Sequence, residues 1–241
     1  MQGIRGVLFD KDGTLFDFQS SWGRATADLI AALAVTGGDA GLSGALHAAL
    51  GFDGQAGLFR RDSVVIAGSV EDVRRVIAPL VPHLAPEDLR ARLTATAATA
   101  EMAEAVPLSP LMTRLAGAGL RLGVATNDAE EAARLHLARA GILARFDFVA
   151  GYDSGFGAKP APGMLLAFAR AAGLAPRAVL MVGDSTHDLA AGRAAGMRTA
   201  AVLTGIAHAG DLAPLADVVL PDIGHLPRLL GLGDAAGFDN S

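Results

Sequence analysis

Ile4-Arg5-Gly6-Val7-Leu8-Phe9-Asp10-Lys11-Asp12-Gly13-Thr14-Leu15 changes character halfway along. Residues 4–10 read as a buried strand, because a short apolar run bounded by polar residues suits a strand covered on both faces. The run then breaks into two carboxylates, a glycine and a hydroxyl. Five further runs look alike, at 120–126, 146–150, 178–184, 199–203 and 217–220. Between them, Ala- and Leu-rich stretches at about 110–118, 129–140, 162–172 and 187–195 carry helical period. Strand alternating with helix means parallel strands joined by right-handed crossovers, an open α/β sheet.

The alternation stops between residue 18 and about 106. That stretch shows helical patterns at 21–35, 43–50, 70–80 and 86–103, with Pro86 where a first helical turn tolerates proline. Residues 51–68 read as loop. The organisation expected is an α/β core of 1–17 and 107–241, with 18–106 as a helical insertion after the first strand. Trp22, the only tryptophan, is expected to pack within the insertion, with the substrate cleft as its alternative place. No internal repeat or low-complexity tract appears, and the last ten residues read as frayed.

Composition narrows the classes. Of 241 residues, 51% are apolar and 19% charged, which argues against a disordered chain. A net charge of −5 argues against a general nucleic-acid binder, since phosphate backbones need clustered Lys and Arg. No apolar run reaches the roughly 18 residues of a membrane span. There is no cysteine, so thiol catalysis and thiolate metal sites are excluded. The first residues do not read as a signal peptide. The expectation is a cytoplasmic monomer or homodimer that binds neither nucleic acid nor membrane.

In open α/β sheets ligands bind beyond the carboxyl ends of the strands. Asp10 and Asp12 follow the first strand and Thr126-Asn127-Asp128 the second. Gly183-Asp184-Ser185-Thr186-His187-Asp188 follow the fourth, and Lys159-Pro160 lie before it. Two carboxylates as close as Asp10 and Asp12 have pKa values driven apart, so one can serve as nucleophile while the other holds a proton for a leaving group. A surface Asx turn is the alternative. Asp184 and Asp188 could simply cap a helix. Together with Asp10 and Asp12 they form an oxygen cage suited to magnesium. Lys159 could be one more surface lysine, but with magnesium it would neutralise Asp10, Asp184 and Asp188 and let a phosphate dianion approach. Thr126 and Asn127 stand where a helix N-terminus could hold that phosphate, or could cap the helix and do nothing more. His187 reads as a helix-start residue, and the other histidines show no metal spacing. The P-loop, nucleophile-elbow and zinc-helix patterns are absent.

Four motifs in order, Phe9-Asp10-Lys11-Asp12-Gly13-Thr14-Leu15, Ala125-Thr126-Asn127, Ala158-Lys159-Pro160 and Gly183-Asp184-Ser185-Thr186-His187-Asp188, resemble the haloacid dehalogenase superfamily. More narrowly, the chain looks like the phosphoglycolate phosphatase-like branch with a helical C1 cap. The resemblance implies a Rossmann-like, doubly wound, mainly parallel sheet with the cap domain inserted after the first strand. It implies Asp10 as the nucleophile that becomes an aspartyl-phosphate and Asp12 as the acid and base for leaving group and water. Thr126 and Lys159 would hold the phosphoryl group, and Asn127 would lie close to it. Magnesium would be held by Asp10, the Asp12 backbone carbonyl and Asp184, with Asp188 in or just behind the coordination sphere. Lys11 stands where the family more often has an apolar residue, and is expected to point away from the phosphate with little consequence.

Asp12 favours a phosphate ester, because the dehalogenase and phosphonate-cleaving branches lack it. The function expected is magnesium-dependent hydrolysis of a small phosphorylated metabolite, 2-phosphoglycolate being one candidate. A sugar phosphomutase of the same superfamily is the alternative, favoured less by Thr14, and a phosphate-binding module without catalysis is a third. Arg60, Arg61, Ser63 and Ser69 are polar candidates in the insertion, and an arginine there could clamp a substrate carboxylate. From these, Arg60 and Ser63 are the expected substrate contacts, with solvated surface as the alternative reading.

Overall fold

In the computed structural model the described residues are 1–233 apart from 39–40. Of the last ten residues, expected to fray, 234–241 lie outside the described residues. Strands are β1 (Gly6–Phe9), β2 (Phe52–Asp53), β3 (Leu58–Phe59), β4 (Arg121–Ala125), β5 (Phe148–Ala150), β6 (Val179–Gly183), β7 (Arg198–Val202) and β8 (Val218–Leu220). Helices are α1 (Phe18–Gly37), α2 (Leu42–Leu50), α3 (Val64–Ala67), α4 (Val70–Ile77), α5 (Pro86–Thr99), α6 (Leu108–Gly117), α7 (Glu130–Arg139), α8 (Gly163–Ala171), α9 (Thr186–Ala194), α10 (Ala209–Leu212) and α11 (Leu226–Leu229).

Six strands form one parallel sheet in the order β5-β4-β1-β6-β7-β8. Burial explains why these strands are apolar without alternation. Val7 and Phe9 point into one core with Met112 and Leu137, while Leu8 between them points into the other with Met164 and Phe168. Both faces are covered, so neither can be polar. The fold is the doubly wound α/β class expected from the strand–helix alternation. β1 is central, with β4 on one side and β6 on the other. The chain reverses its direction of sheet growth there, and the crevice above such a switch point is where ligands bind.

The helical segment between β1 and α6 has its own core, with Phe18, Ile30, Leu33, Leu46, Leu50 and Leu89 all nearly or fully buried. Asp17 caps α1 by accepting from the Ser20 N–H at 2.8 Å, which starts the helix three residues before the apolar period suggests. The expected loop at 51–68 is more ordered than its composition indicates. It contains the β2–β3 hairpin and α3, and Phe52 and Phe59 pack on each other with ring centroids 4.8 Å apart. Two-residue strands are too short for any alternation to show in sequence. Helix α5 ends at Thr99, short of 103, because the chain must return to the core. The Asp17 N–H donates to Ala103 O at 2.8 Å and the Ala105 N–H to Leu15 O at 3.0 Å, so the outgoing and returning strands are zipped together.

Phe168 on α8 is fully buried over β4, where a Cβ on Gly123 would meet its ring at 2.6 Å. Phe168→Ala is expected to cost about 3–5 kcal/mol in urea unfolding; a loss under about 1 kcal/mol would show that this face of the sheet repacks freely.

Candidate active site

Each functional side chain is placed by the end of a strand. Asp10 follows β1, Thr126 follows β4, Asp184 follows β6, and Asp188 stands on the first turn of α9. With Asp12, Asn127 and Lys159 they line one cavity between the sheet edge and the helical segment. Asp10, Asp184 and Asp188 are buried, and each offers a carboxylate oxygen within 4.8 Å of the others.

Lys159 enters this cluster from the loop between β5 and α8. Its Nζ donates to Asp10 Oδ1 at 2.5 Å and lies 2.6 Å from Asp188 Oδ1. Asn127 fixes that loop by a reciprocal pair: its Nδ2 donates to Lys159 O at 3.0 Å, and the Lys159 N–H donates to its Oδ1 at 2.8 Å. Asn127 therefore both borders the cavity and positions the lysine. The Asp128 N–H donates to Thr126 Oγ1 at 3.0 Å, so the hydroxyl oxygen is held and its proton is left to point elsewhere.

Asp188 fills two roles at once. Its Oδ2 accepts from the Ser185 N–H and hydroxyl at 3.0 and 2.6 Å, which is a capping box on α9. Its Oδ1, beside the Lys159 ammonium, is buried without an aligned hydrogen bond. The helix cap and the contact with Lys159 thus share one carboxylate.

Asp184 sits in a cradle from which side chains are excluded. A Cβ on Gly13 would lie 2.3 Å from its Oδ2, and one on Gly205 would lie 1.7 Å away. Gly13 also has φ near +78°, a conformation that L side chains rarely adopt. Thr204 ties the turn down by donating from Oγ1 to Gly13 O at 2.6 Å. The contribution of Thr204-Gly205 has no sequence signal besides its place just after β7.

Three carboxylates and one ammonium leave the cluster negative. Burial pushes the Asp10 carboxyl up to about 7; Lys159 opposes that rise, and Asp188 and Asp12 add to it. Burial, then Asp10 and Asp188, raise Asp184 well above the usual carboxylate range. Burial alone would lower Lys159, but Asp10 and Asp188 outweigh it and raise it. Without a cation the folded protein therefore holds protons that the unfolded chain releases. Its stability falls as pH rises from the ordinary carboxylate range through about 7. The donor set is all oxygen, buried and under-neutralised, with one carboxylate oxygen lacking a hydrogen bond, which fits a hard divalent cation.

Lys11 corrects an expectation. It does point away from the cavity, but it is not inconsequential. The side chain is fully buried, and its Nζ lies 3.1 Å from Asp12 Oδ2, 2.7 Å from Asp128 Oδ2 and 3.0 Å from His136 Nδ1. A lysine ammonium only donates, so Nδ1 accepts and Nε2 carries the proton, which it donates to Ala97 O on α5 at 2.9 Å. Burial and the neighbouring Lys11 charge hold His136 down at about 4, so it is neutral. Asp12 Oδ1 accepts from Trp22 Nε1 at 2.8 Å. Trp22 packs within the helical segment, as expected, and also borders the cavity. Asp12 is thus held from both sides, by Lys11 behind and by the helical segment in front. Sequence reading placed Asp128 at a strand end without giving it a role, and gave none to His136 beyond its lack of metal spacing. Their partners are 117 and 125 residues away, and no local pattern reports such a pairing.

Arg60 and Ser63, the expected substrate contacts, do not line the cavity. Arg60 is exposed and donates to Asp62 at 3.2 Å. Ser63 is buried as the cap of α3 and donates to Leu50 O at 2.6 Å. The ordered hairpin turns both away from the strand ends.

The family model of haloacid dehalogenase-like hydrolases matches residues 4–196. The chain belongs to that family. It is 32% identical over 231 residues to a phosphoglycolate phosphatase of Xanthomonas campestris pv. campestris, covering 91% of this chain and 93% of that one. It is 30% identical over 213 residues to an N-acetylmuramic acid 6-phosphate phosphatase of Pseudomonas aeruginosa, covering 86% and 85%. The crystal structure of a predicted phosphoglycolate phosphatase from Haemophilus somnus superposes with a TM-score of 0.72 at 16% identity, over 95% of this chain and 99% of that chain, and shares the fold. No described helix is long and apolar enough to cross a membrane.

Removing the Lys11 charge leaves Asp12 and Asp128 facing each other without a counter-ion. Lys11→Met is expected to destabilise the fold by about 3–5 kcal/mol in denaturant titration. A change within about 0.5 kcal/mol would mean that water screens this pair.

Proposed function

We propose that this haloacid dehalogenase-like hydrolase is a magnesium-dependent phosphatase that cleaves phosphomonoesters of small metabolites through an aspartyl-phosphate on Asp10. The observation that carries the reading is the convergence of Asp10, Asp184 and Asp188 at the switch point of the sheet, with the Lys159 ammonium between Asp10 and Asp188. The phosphatase names of the full-length relatives support it.

In this reading Asp10 attacks phosphorus and the ester oxygen leaves. Asp12 supplies the proton to that oxygen, then takes one from the water that cleaves the acyl phosphate. The Trp22 and Lys11 contacts aim its carboxylate at the cavity. Lys159 and Thr126 hold the phosphoryl oxygens, and Asn127 keeps Lys159 in place. Lys159 now leans on Asp10, and an arriving phosphoryl group would give the ammonium new acceptors and free the nucleophile. Asp10, Asp184, Asp188 and the Asp12 carbonyl would hold magnesium, which would supply charge neutralisation for phosphoryl transfer. Residues 18–106 act as the cap domain over the core of 1–17 and 107–241. The Trp22–Asp12 and His136–Ala97 contacts are then the points where the cap meets the acid–base residue and the helix behind it.

Asp10→Asn is expected to lower turnover of a phosphomonoester by at least about a thousandfold while the protein stays folded. Asp12→Asn given acetyl phosphate should accumulate one phosphoryl group on Asp10, read by mass spectrometry. Undiminished activity of Asp10→Asn would refute the nucleophile assignment. Magnesium affinity should depend on pH with a defined sign. Below about 7 the cation must displace a proton from Asp10, so affinity should fall at least about tenfold per pH unit there and level off above. Calorimetric titration from pH 5.5 to 8.5 checks this, and a flat profile would contradict the raised carboxyl.

A further inference from the structure

We propose that the alcohol released by this enzyme is uncharged and predominantly apolar, and is not a carboxylate-bearing one such as glycolate. The inference rests on the reading of the site as a phosphomonoester hydrolase and specifies its substrate class.

The cavity has two unlike walls. The sheet edge supplies the carboxylates together with Thr126, Asn127 and Lys159. The opposite wall is built by the helical segment, and there Trp22, Leu29, Val65, Ile66, Val70 and Val73 face the space. Among the described residues, the polar side-chain groups this segment adds are the hydroxyls of Thr26 and Thr96 and the Trp22 indole N–H, which is given to Asp12. Trp22, Val65, Ile66, Val70 and Val73 are only half-buried, so apolar surface is left open towards the site. Before transfer, an ester whose phosphorus lies in line with Asp10 has its alcohol part on the side of the cavity that this wall closes.

A carboxylate brought there would lose its water and need a cation. The segment 18–106 contains seven arginines and no lysine, and none of the seven lines the cavity. Six are engaged with acidic side chains: Arg24 with Asp28, Arg60 with Asp62, Arg61 with Asp211, Arg74 with Glu71, Arg75 with Asp72, and Arg90 with Glu87. Arg92 is exposed in a neighbouring depression with Arg24 and Thr99; Leu29 and Thr96 line both that depression and the cavity, but neither arginine lines the cavity itself. Cationic and imidazole side chains at the cavity come from the sheet side alone. Lys159 is taken by Asp10 and Asp188, and His187 is exposed on α9. Asp12 and Asp128 also border the cavity and would repel a second anion. Burying an unpaired carboxylate against apolar walls is strongly unfavourable, whereas burying a hydrocarbon group there is favourable. Both relatives are named for esters of acids, phosphoglycolate and N-acetylmuramic acid 6-phosphate, so the inference sets this chain apart from them and rests on the lining of its cavity alone.

The test compares kcat/KM of the wild-type enzyme, with magnesium, for benzyl phosphate and 2-phosphoglycolate, with acetyl phosphate as a small activated control. The expected result is turnover of acetyl phosphate and a benzyl phosphate kcat/KM at least tenfold above that of 2-phosphoglycolate. Turnover of acetyl phosphate with a smaller ratio, or a preference for 2-phosphoglycolate, overturns the substrate class and leaves the hydrolase reading standing. Turnover of none of the three removes the hydrolase reading, and the substrate class with it.

Discussion

Three buried carboxylates crowd one lysine at the end of the central strand, and much of the molecule serves that arrangement. Charges of one sign resist being gathered out of water, and only a rigid frame with counter-charges can hold them. The parallel sheet is that frame. It fixes Asp10, Thr126 and Asp184 on adjacent strand ends, so their separation is set by strand spacing rather than by flexible loops. Gly13 and Gly205 then remove the side chains that would collide with Asp184. Asn127 and the Ser185–Asp188 capping box lock the remaining two donors. The result is a site organised before any ligand arrives, which suits a reaction that needs positioning and charge neutralisation.

A second charge cluster lies just behind the first. Lys11, Asp12, Asp128 and His136 share one buried ammonium, and Trp22 adds its ring 5.4 Å from that ammonium. The two lysines of the chain, Lys11 and Lys159, are both committed to these two clusters. Asp12 links them, because it borders the cavity on one side and touches Lys11 on the other. Contacts from α1 and α5 end on this second cluster, so the position of the helical segment and the orientation of Asp12 are mechanically joined.

What the sequence made legible follows from period and punctuation. Apolar runs ending in Asp10, Thr126 and Asp184 could be read as strand ends because the sheet buries both faces. The order of motifs then placed their side chains on one edge. Lys159 was recognisable through its neighbours Ala158 and Pro160 and through the charge balance it offers to Asp10, Asp184 and Asp188. Pairings across long separations were not legible. Lys11 with His136 and Trp22 with Asp12 depend on how helices settle on the sheet, which no local window encodes. Arg60 and Ser63 fail as substrate contacts for a related reason: a two-residue hairpin, invisible to period, decides which way that stretch faces. For Asp188, capping does not preclude a place in the site, since a carboxylate has two oxygens: one accepts from Ser185 and the other lies beside Lys159.

The central claim is spatial: Asp10, Asp184 and Asp188 surround one divalent cation. Crystals grown with manganese in place of magnesium and measured at a wavelength where manganese scatters anomalously test it most directly. The prediction is a single strong anomalous peak within coordination distance of all or nearly all of these carboxylates, with Lys159 displaced from its contact with Asp10. A peak elsewhere, or none at saturating metal, would contradict it.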